Sequence, residues 1–258
     1  MEKPPAYGLF HLTFFLVGLL VSVLSAYALR KTGDRQNKIV LGSVGGFLVI
    51  SEVYKHLFYT FVIGNGQYQW WIFPFQLCSI PMYFCLAAPF LKPGRIQRGM
   101  YNFMLSFNLM GGFVAFLEPS GLTHTYWTLT LHAFIWHMLL VFVGLYIGFS
   151  GRAGQKLKEY RYAAVTFAIL CIIALSFNLI FWNKPASIDN PTGHMNMFYI
   201  GPADSPLAVF KTICQRYGWY VNTPIYIACL CLGAFIFYLP FPLWHQKRAG
   251  KRAIEKER

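Results

Sequence analysis

The chain has 258 residues, of which 56% are hydrophobic, 19% are aromatic and only 12% are charged. Soluble domains carry roughly a quarter charged residues, so this composition excludes an ordinary water-soluble fold. The formal net charge of +13 does not indicate nucleic-acid binding, because the basic residues lie between apolar runs and not along one polar face with interleaved aromatic residues.

Seven apolar segments follow one another along the chain, most of them close to the ~20 residues that cross the hydrocarbon core of a membrane. They cover residues 10–29, 39–63, 70–91, 101–117, 127–149, 162–182 and 220–243. This pattern predicts an all-α polytopic membrane protein with seven transmembrane helices. An odd number of spans places the two termini on opposite sides of the membrane.

The distribution of Lys and Arg predicts the orientation, because positively charged connections stay in the cytoplasm. The first, third and fifth connections and the C-terminus together hold 17 of the 22 basic residues. We therefore expect the N-terminus outside and the C-terminus in the cytoplasm. Residues 1–246 are predicted to form a single seven-helix membrane domain and residues 247–258 a basic cytoplasmic tail, in a protein of the plasma (cell) membrane.

The sixth connection, residues 183–219, is predicted to lie on the outer side and is rich in apolar residues. Backbone at membrane depth must be buried in protein, so a connection of this composition is expected to fold back over the helix bundle. It can act as a functional lid, and a plain ordered loop is the alternative.

Ionisable residues inside the apolar segments are the first candidates for function, because their burial in a bilayer is costly and they usually face the bundle interior. The candidates are Glu52, Lys55, His56, Glu118, His132 and His137. Glu52 and His56 stand four residues apart, so they share one helical face and can pair. A purely structural polar cluster is the alternative interpretation.

Cys78 is the candidate nucleophile, and it follows Pro74, which is expected to bend the third helix. At ~1.5 Å per residue, Cys78 and His137 lie roughly 12 and 15 Å below the outer face. On the same scale Glu52 lies roughly 16 Å deep and His132 only about 8 Å. A thiol, an imidazole and a carboxylate at one level suit a nucleophile, its base and the group that orients the base. All six cysteines are expected to be free thiols.

Several motifs resemble those of the YwaF-type family of integral membrane proteins. Residues 73–78 resemble its Leu-Pro-Leu-His/Glu-Leu-Cys motif, and residues 111–119 resemble its Gly-Gly-x-x-Ala-Leu-Leu-Thr-Pro stretch. His137 matches the histidine of its fifth helix. Residues 196–200 and 218–220 resemble its Asn-Tyr-hydrophobic motif and the Trp-Tyr entry to its last helix. The resemblance spans most of the chain.

Animal relatives of that family are acyltransferases that remodel ether-linked phospholipids, so the resemblance implies a membrane-embedded lipid acyltransferase. It implies that Cys78 accepts the acyl group and that His137 is the general base. Two positions depart from the family pattern: Gln76 stands where His or Glu is frequent, and Glu118 stands where Thr is frequent.

We accordingly predict acyl transfer from a phospholipid to a lysophospholipid through Cys78 and His137, with Glu52 as the orienting carboxylate. The residues predicted to contact substrate are Gln76, His56, His132, Asn196 and Tyr199. The sequence has no nucleotide or coenzyme A motif, so no cofactor, metal or nucleic-acid partner is expected. The alternative is a non-enzymatic transporter or lipid-binding protein in which Glu52, His56 and His137 form a polar pathway.

Overall fold

The computed structural model describes residues 3–184, 186–187, 193–203, 205 and 207–257, with side chains up to residue 250. This part of the chain is helical and contains no β-strand. The helices are α1 (Leu9–Lys31), α2 (Asp34–Ile63), α3 (Ile80–Phe90), α4 (Arg95–Leu117), α5 (Trp127–Ser150), α6 (Leu157–Ile180), α7 (Ala208–Tyr217), α8 (Trp219–Tyr238) and α9 (Pro240–Glu257).

Six helical stretches among the described residues are long and apolar enough to cross a membrane. They are α1, α2, α4, α5, α6 and the continuous stretch Trp219–Gly250, which joins α8 to the first half of α9. These spans confirm the predicted all-α integral membrane class. The helix α9 continues through most of the predicted C-terminal tail.

The third predicted span has a different structure from the others. In place of a continuous helix over residues 70–91, a 3-10 turn at Trp70–Ile72 and irregular backbone at residues 73–79 precede the short α3. Two prolines explain the break, since Pro74 and Pro81 cannot donate backbone hydrogen bonds. Pro81 stands in the first turn of α3, where a helix tolerates proline best.

The broken segment nevertheless runs antiparallel to α2 along most of its length. The ring centroids of Trp71 and Tyr59 are 5.0 Å apart at one end. At the other end the Lys38 ammonium lies 5.6 Å from the centre of the Phe90 ring. A seventh crossing formed by this segment, and the orientation of the bundle, stay predictions.

α4 and α5 are the two most buried spans and form the centre of the bundle. The inner half of α4, Arg95–Phe103, packs mainly on α6, and the outer half, Leu109–Leu117, packs on α5. A π-helical turn at Met104–Asn108 separates the two halves. The Asn108 side-chain amide donates to the Leu140 carbonyl of α5 at 2.9 Å, which ties the two helices together within the apolar interior.

Gly112 permits the close approach of α4 to α5. A Cβ atom at this position would lie 2.8 Å from the His137 carbonyl oxygen, which is backbone and cannot swing away. A Cβ atom at neighbouring Gly111 would meet no heavy atom within 4 Å. Small residues at helix interfaces let membrane helices pack closely, and here the contact lies beside His137.

The first prediction compares Ala at these two glycines. Gly112→Ala should destabilise the protein by about 1–3 kcal/mol through overpacking against the His137 carbonyl. Gly111→Ala should be neutral or slightly stabilising, because Ala has a helix propensity up to ~1 kcal/mol better than Gly. Thermal unfolding of the purified protein in detergent measures both, and equal melting temperatures for the two variants would contradict the α4–α5 contact.

A second prediction concerns the broken third segment. If residues 70–90 cross the membrane, a reporter fused after Gln67 and a reporter fused at the C-terminus should lie on opposite sides, outside and inside respectively. If the segment does not cross, the two reporters should lie on the same side. Paired phosphatase and fluorescent-protein fusions at both positions distinguish the two topologies.

Candidate functional site

The irregular backbone at residues 73–79 forms the base of the site. Polar groups of such a segment need protein partners at membrane depth, since no water is present there. The Trp136 indole of α5 donates to the Cys78 carbonyl at 3.0 Å. The Tyr83 hydroxyl donates to the Pro74 carbonyl at 2.8 Å. The side chains of Trp136 and Tyr83, which lie outside residues 73–79, therefore hold this segment in place.

Cys78 packs beside the midpoint of α2. Its neighbours in this cluster include Leu48 of α2, Met82 of α3, and Trp136 and Leu140 of α5. The cysteine keeps part of its surface accessible although protein surrounds it. Cys85, by contrast, is completely buried. All six cysteines are free, as predicted.

The tautomer of His137 follows from a single hydrogen bond. The Nδ1 atom lies 2.8 Å from the Ala133 carbonyl oxygen, one helical turn back in α5. A carbonyl can only accept, so Nδ1 must carry the proton and Nε2 must carry the lone pair. Like Cys78, His137 is surrounded by protein yet partly accessible. Its imidazole has the form that a general base requires.

Glu52 is the centre of a buried ion-pair cluster on α2. Its Oε1 atom lies 2.7 Å from the Lys55 Nζ and 3.1 Å from the His56 Nε2, so the predicted pairing of Glu52 with His56 is present. The His56 ring also stacks on Tyr68 at 5.6 Å. The carboxylate thus holds two possible cations, which offsets the cost of its burial.

The Glu52 cluster lies within electrostatic range of both the cysteine and the α5 histidines. Lys55 acts electrostatically on Cys78 and His137, and its ammonium lies 6.0 Å from the centre of the Trp136 ring. Glu52 was predicted to orient the base. In the structure the Ala133 carbonyl bonds to His137, and Glu52 fixes the position of Lys55.

Two polar atoms of this region are buried without a hydrogen-bond partner among the described residues: Glu52 Oε2 and His132 Nε2. His132 lies one turn before Trp136 on α5, with ring centroids 5.5 Å apart, and it is within electrostatic range of Glu52. Buried polar atoms rarely stay unpaired in folded proteins, so both atoms are candidates for binding a further polar group.

Gln76 attaches the outer connection to the cysteine segment. Its side-chain amide donates to the Asn196 carbonyl at 3.2 Å and accepts from the Phe198 backbone N–H at 3.1 Å. On the far side, Asn178 of α6 accepts from the Met197 N–H at 2.6 Å. The connection is therefore fixed by two side-chain amides, one on each side.

Tyr199 of the outer connection lies within electrostatic range of Cys78. Burial raises the pKa of its phenol to about 12, and negative charge on Cys78 acts in the same direction. Phe198 and Tyr199 have φ angles of 58° and 57°, a left-handed conformation that costs non-glycine residues roughly 1–2 kcal/mol each. The Phe198 N–H donates to Gln76 and the Asn178 amide donates to the Met197 carbonyl, and these two bonds hold the chain in this shape.

Sequence reasoning missed the structural roles of Trp136 and Asn178, because a single Trp or Asn in an apolar helix gives no signal of its partner. It included Glu118 among the intramembrane candidates, but this residue is exposed at the end of α4. Within the described residues, no group of three His, Cys, Asp or Glu side chains could hold a metal ion.

Comparison with known proteins places the chain in context. The model of the TMEM164 family matches residues 6–252, which is nearly the whole chain. No curated protein and no solved structure matches it.

The Gln76 contacts generate a prediction about the outer connection. Gln76→Ala removes both hydrogen bonds to residues 196–198 and should expose the connection, so protease added to the outer side should cut near Met195 much faster than in the wild-type protein. Gln67→Ala, in the exposed turn before the same segment, is the matched control and should behave like wild type. Rapid cleavage of the wild-type protein itself would show that residues 193–203 are a plain exposed loop.

Proposed function

The chain belongs to the TMEM164 family of transmembrane proteins, and from this premise we propose that it is a membrane-embedded lipid acyltransferase that works through an acyl thioester on Cys78. The substrates proposed are a phospholipid as acyl donor and a lysophospholipid as acceptor, both entering from the membrane. The reaction needs no soluble cofactor, because the acyl group passes from one ester to another through the protein.

The hydrogen bond from Trp136 to the Cys78 carbonyl carries the proposal. It fastens the cysteine segment to α5 at the residue next to His137. A partly accessible cysteine, and an imidazole with its lone pair on Nε2, are the two groups that covalent acyl transfer requires. The resemblance of residues 73–78 to the cysteine motif of the YwaF-type family, whose animal relatives are lipid acyltransferases, supports the same assignment.

In the first half-reaction, His137 Nε2 accepts the proton of the Cys78 thiol, and the thiolate attacks the ester carbonyl carbon of the phospholipid. The C–S bond forms as the carbonyl becomes an oxyanion. When the oxyanion collapses, the C–O bond to the glycerol breaks and the leaving oxygen takes the proton from His137. The products are the acyl thioester and a lysophospholipid.

In the second half-reaction, a different lysophospholipid donates its hydroxyl proton to His137, and its oxygen attacks the thioester carbonyl. The C–S bond breaks, and the cysteine sulfur recovers the proton from His137. The positive charge of Lys55 favours the thiolate in both steps, because opposite charge stabilises an ionised group in a poorly hydrated site. Glu52 keeps that ammonium in position.

The remaining candidates are proposed to hold the substrate. The unpaired Glu52 Oε2 and His132 Nε2 suit a polar headgroup or a glycerol hydroxyl. His56 lies beside them. Tyr199 lies within electrostatic range of Cys78, while Gln76 and the Asn196 backbone hold the connection that bears it.

A non-enzymatic transporter or lipid-binding protein is the second candidate. The ion-pair cluster of Glu52, Lys55 and His56 favours it, because buried ionisable residues of membrane proteins also line transport pathways. A transporter needs the cluster but not the cysteine. The two functions therefore differ in their dependence on Cys78.

Replacing the cysteine tests the covalent step. Cys78→Ser should reduce transacylation between a labelled phospholipid and a lysophospholipid to background, and it should remove a hydroxylamine-labile acyl adduct detected by mass spectrometry. Cys85→Ser, at the nearby buried thiol of α3, should keep most of the activity. Wild-type turnover in Cys78→Ser would exclude the covalent mechanism and favour the transporter.

The same assay applied to the two histidines of α5 tests the base. His137→Ala should lower the rate by ~10² to 10⁴, the usual loss when a general base is removed. His132→Ala should lose much less, since it only contacts substrate in this mechanism. Thermal unfolding of each variant controls for damage to the bundle. Equal losses at the two positions would refute the choice of His137.

A further inference from the structure

A cavity with a volume of about 350 Å³ lies between the C-terminal ends of α1 and α5 and the middle of α9. It is at the end that the distribution of Lys and Arg assigns to the cytoplasm. Its polar lining consists mainly of Arg30, Lys31, Ser150, Gln155, His245 and Arg248. No acidic residue lines it among the described residues.

The cationic groups of this cavity are not neutralised within the protein. In the part of the chain that the structure describes, ion pairs join Lys55 and His56 to Glu52 and Arg152 to Asp34. None of them involves a residue that lines the cavity. The positive charge of the cavity therefore has no counter-charge among the described side chains.

Aromatic rings hold the two guanidinium groups in position. The Arg30 guanidinium lies 3.7 Å from the centre of the Tyr27 ring, and the Arg248 guanidinium lies 4.7 Å from that of Trp244. Stacking on aromatic rings orients a guanidinium without removing its charge. The Arg30 Nε atom is also buried without a hydrogen-bond partner among the described residues.

The C-terminal end of α5, which also lines the cavity, does not repel an anion strongly. Helix carbonyls at this end carry partial negative charge when they are unpaired. Here the His245 Nε2 bonds to the Gly148 carbonyl at 2.9 Å, and the Gln155 amide donates to the Gly151 carbonyl at 2.5 Å. Two side chains of the cavity wall thus cap the negative groups, and the arginines remain available.

We propose that this cavity binds the phosphate-bearing headgroup of an anionic membrane lipid. Its position favours a lipid over a soluble phosphate, because α1 is the least buried of the spans and faces the bilayer. Tyr27, whose ring stacks against the Arg30 guanidinium, is exposed on α1. Aromatic residues near the ends of membrane helices lie at the level of the lipid headgroups. Basic pockets between helix ends on the cytoplasmic side suit such headgroups.

A basic cavity can also result from the general excess of positive charge on cytoplasmic loops. A second basic cavity at the same end of the protein serves as a control for this simpler explanation. This second cavity, of about 290 Å³, is lined by Arg98, Lys156, Lys158, Glu159, Arg161 and Tyr162. It has four Lys and Arg residues, against three in the first cavity, but it includes the carboxylate of Glu159. If surface charge alone attracts lipid, the two cavities should contribute alike.

Binding of dioctanoyl phosphatidic acid to the full-length protein in neutral detergent, followed by native mass spectrometry, tests the proposal. Substituting Gln for Arg30 and Arg248 together should weaken binding at least ~10-fold, the loss expected when charge-assisted hydrogen bonds to a phosphate are removed. Substituting Gln for Arg98 and Arg161 removes the same charge from the other cavity and should change the affinity less than about twofold.

Two further measurements distinguish loss of a lipid phosphate contact from other causes of weaker binding. Substituting Lys for Arg30 and Arg248 preserves the charge and should restore much of the binding, which separates the phosphate contact from damage to the fold. Inorganic phosphate in large excess should not displace the lipid. Equal losses at the two cavities, displacement by inorganic phosphate, or no saturable binding to the wild-type protein would each overturn the proposal.

Discussion

The structure depends on how the backbone N–H and C=O groups of one irregular stretch find hydrogen-bond partners at membrane depth. Residues 73–79 form no helix, so their polar groups need partners that a continuous span would supply by itself. Trp136 supplies one from α5 and Tyr83 supplies another from α3. Through these bonds the helices that surround the break are held together, and Cys78 stays beside the middle of α2.

The same region contains the interior side chains whose burial costs the most free energy. Glu52, Lys55 and His56 form a compact group in which each charge depends on the others, because removing one partner of a buried pair leaves an uncompensated charge. The group adjoins the backbone break and the α5 histidines. Other buried polar side chains include Asn37 and Asn178, uncharged amides that lie elsewhere in the bundle, and aromatic contacts join α1 to α5.

The sequence predicted those parts of the fold that hydropathy and helical spacing control. Long apolar runs located the six spans, and a four-residue interval paired Glu52 with His56. Hydropathy cannot detect a break such as residues 73–79, since an apolar residue scores alike in a helix and in irregular backbone. Nor could it detect the bonds of Gln76 to Asn196 and Phe198, which join positions about 120 residues apart.

The π-helical turn of α4 allows one helix to serve two partners. A turn of this kind holds an additional residue, and one residue corresponds to ~100° of rotation about the helix axis. The outer half of α4 is therefore re-phased relative to the inner half. Gly112 can face α5 while Tyr101 and Asn102 face their own neighbours at the other end. In effect α4 is two short helices that share an axis but differ in azimuth, so each half presents its own face to its own partner.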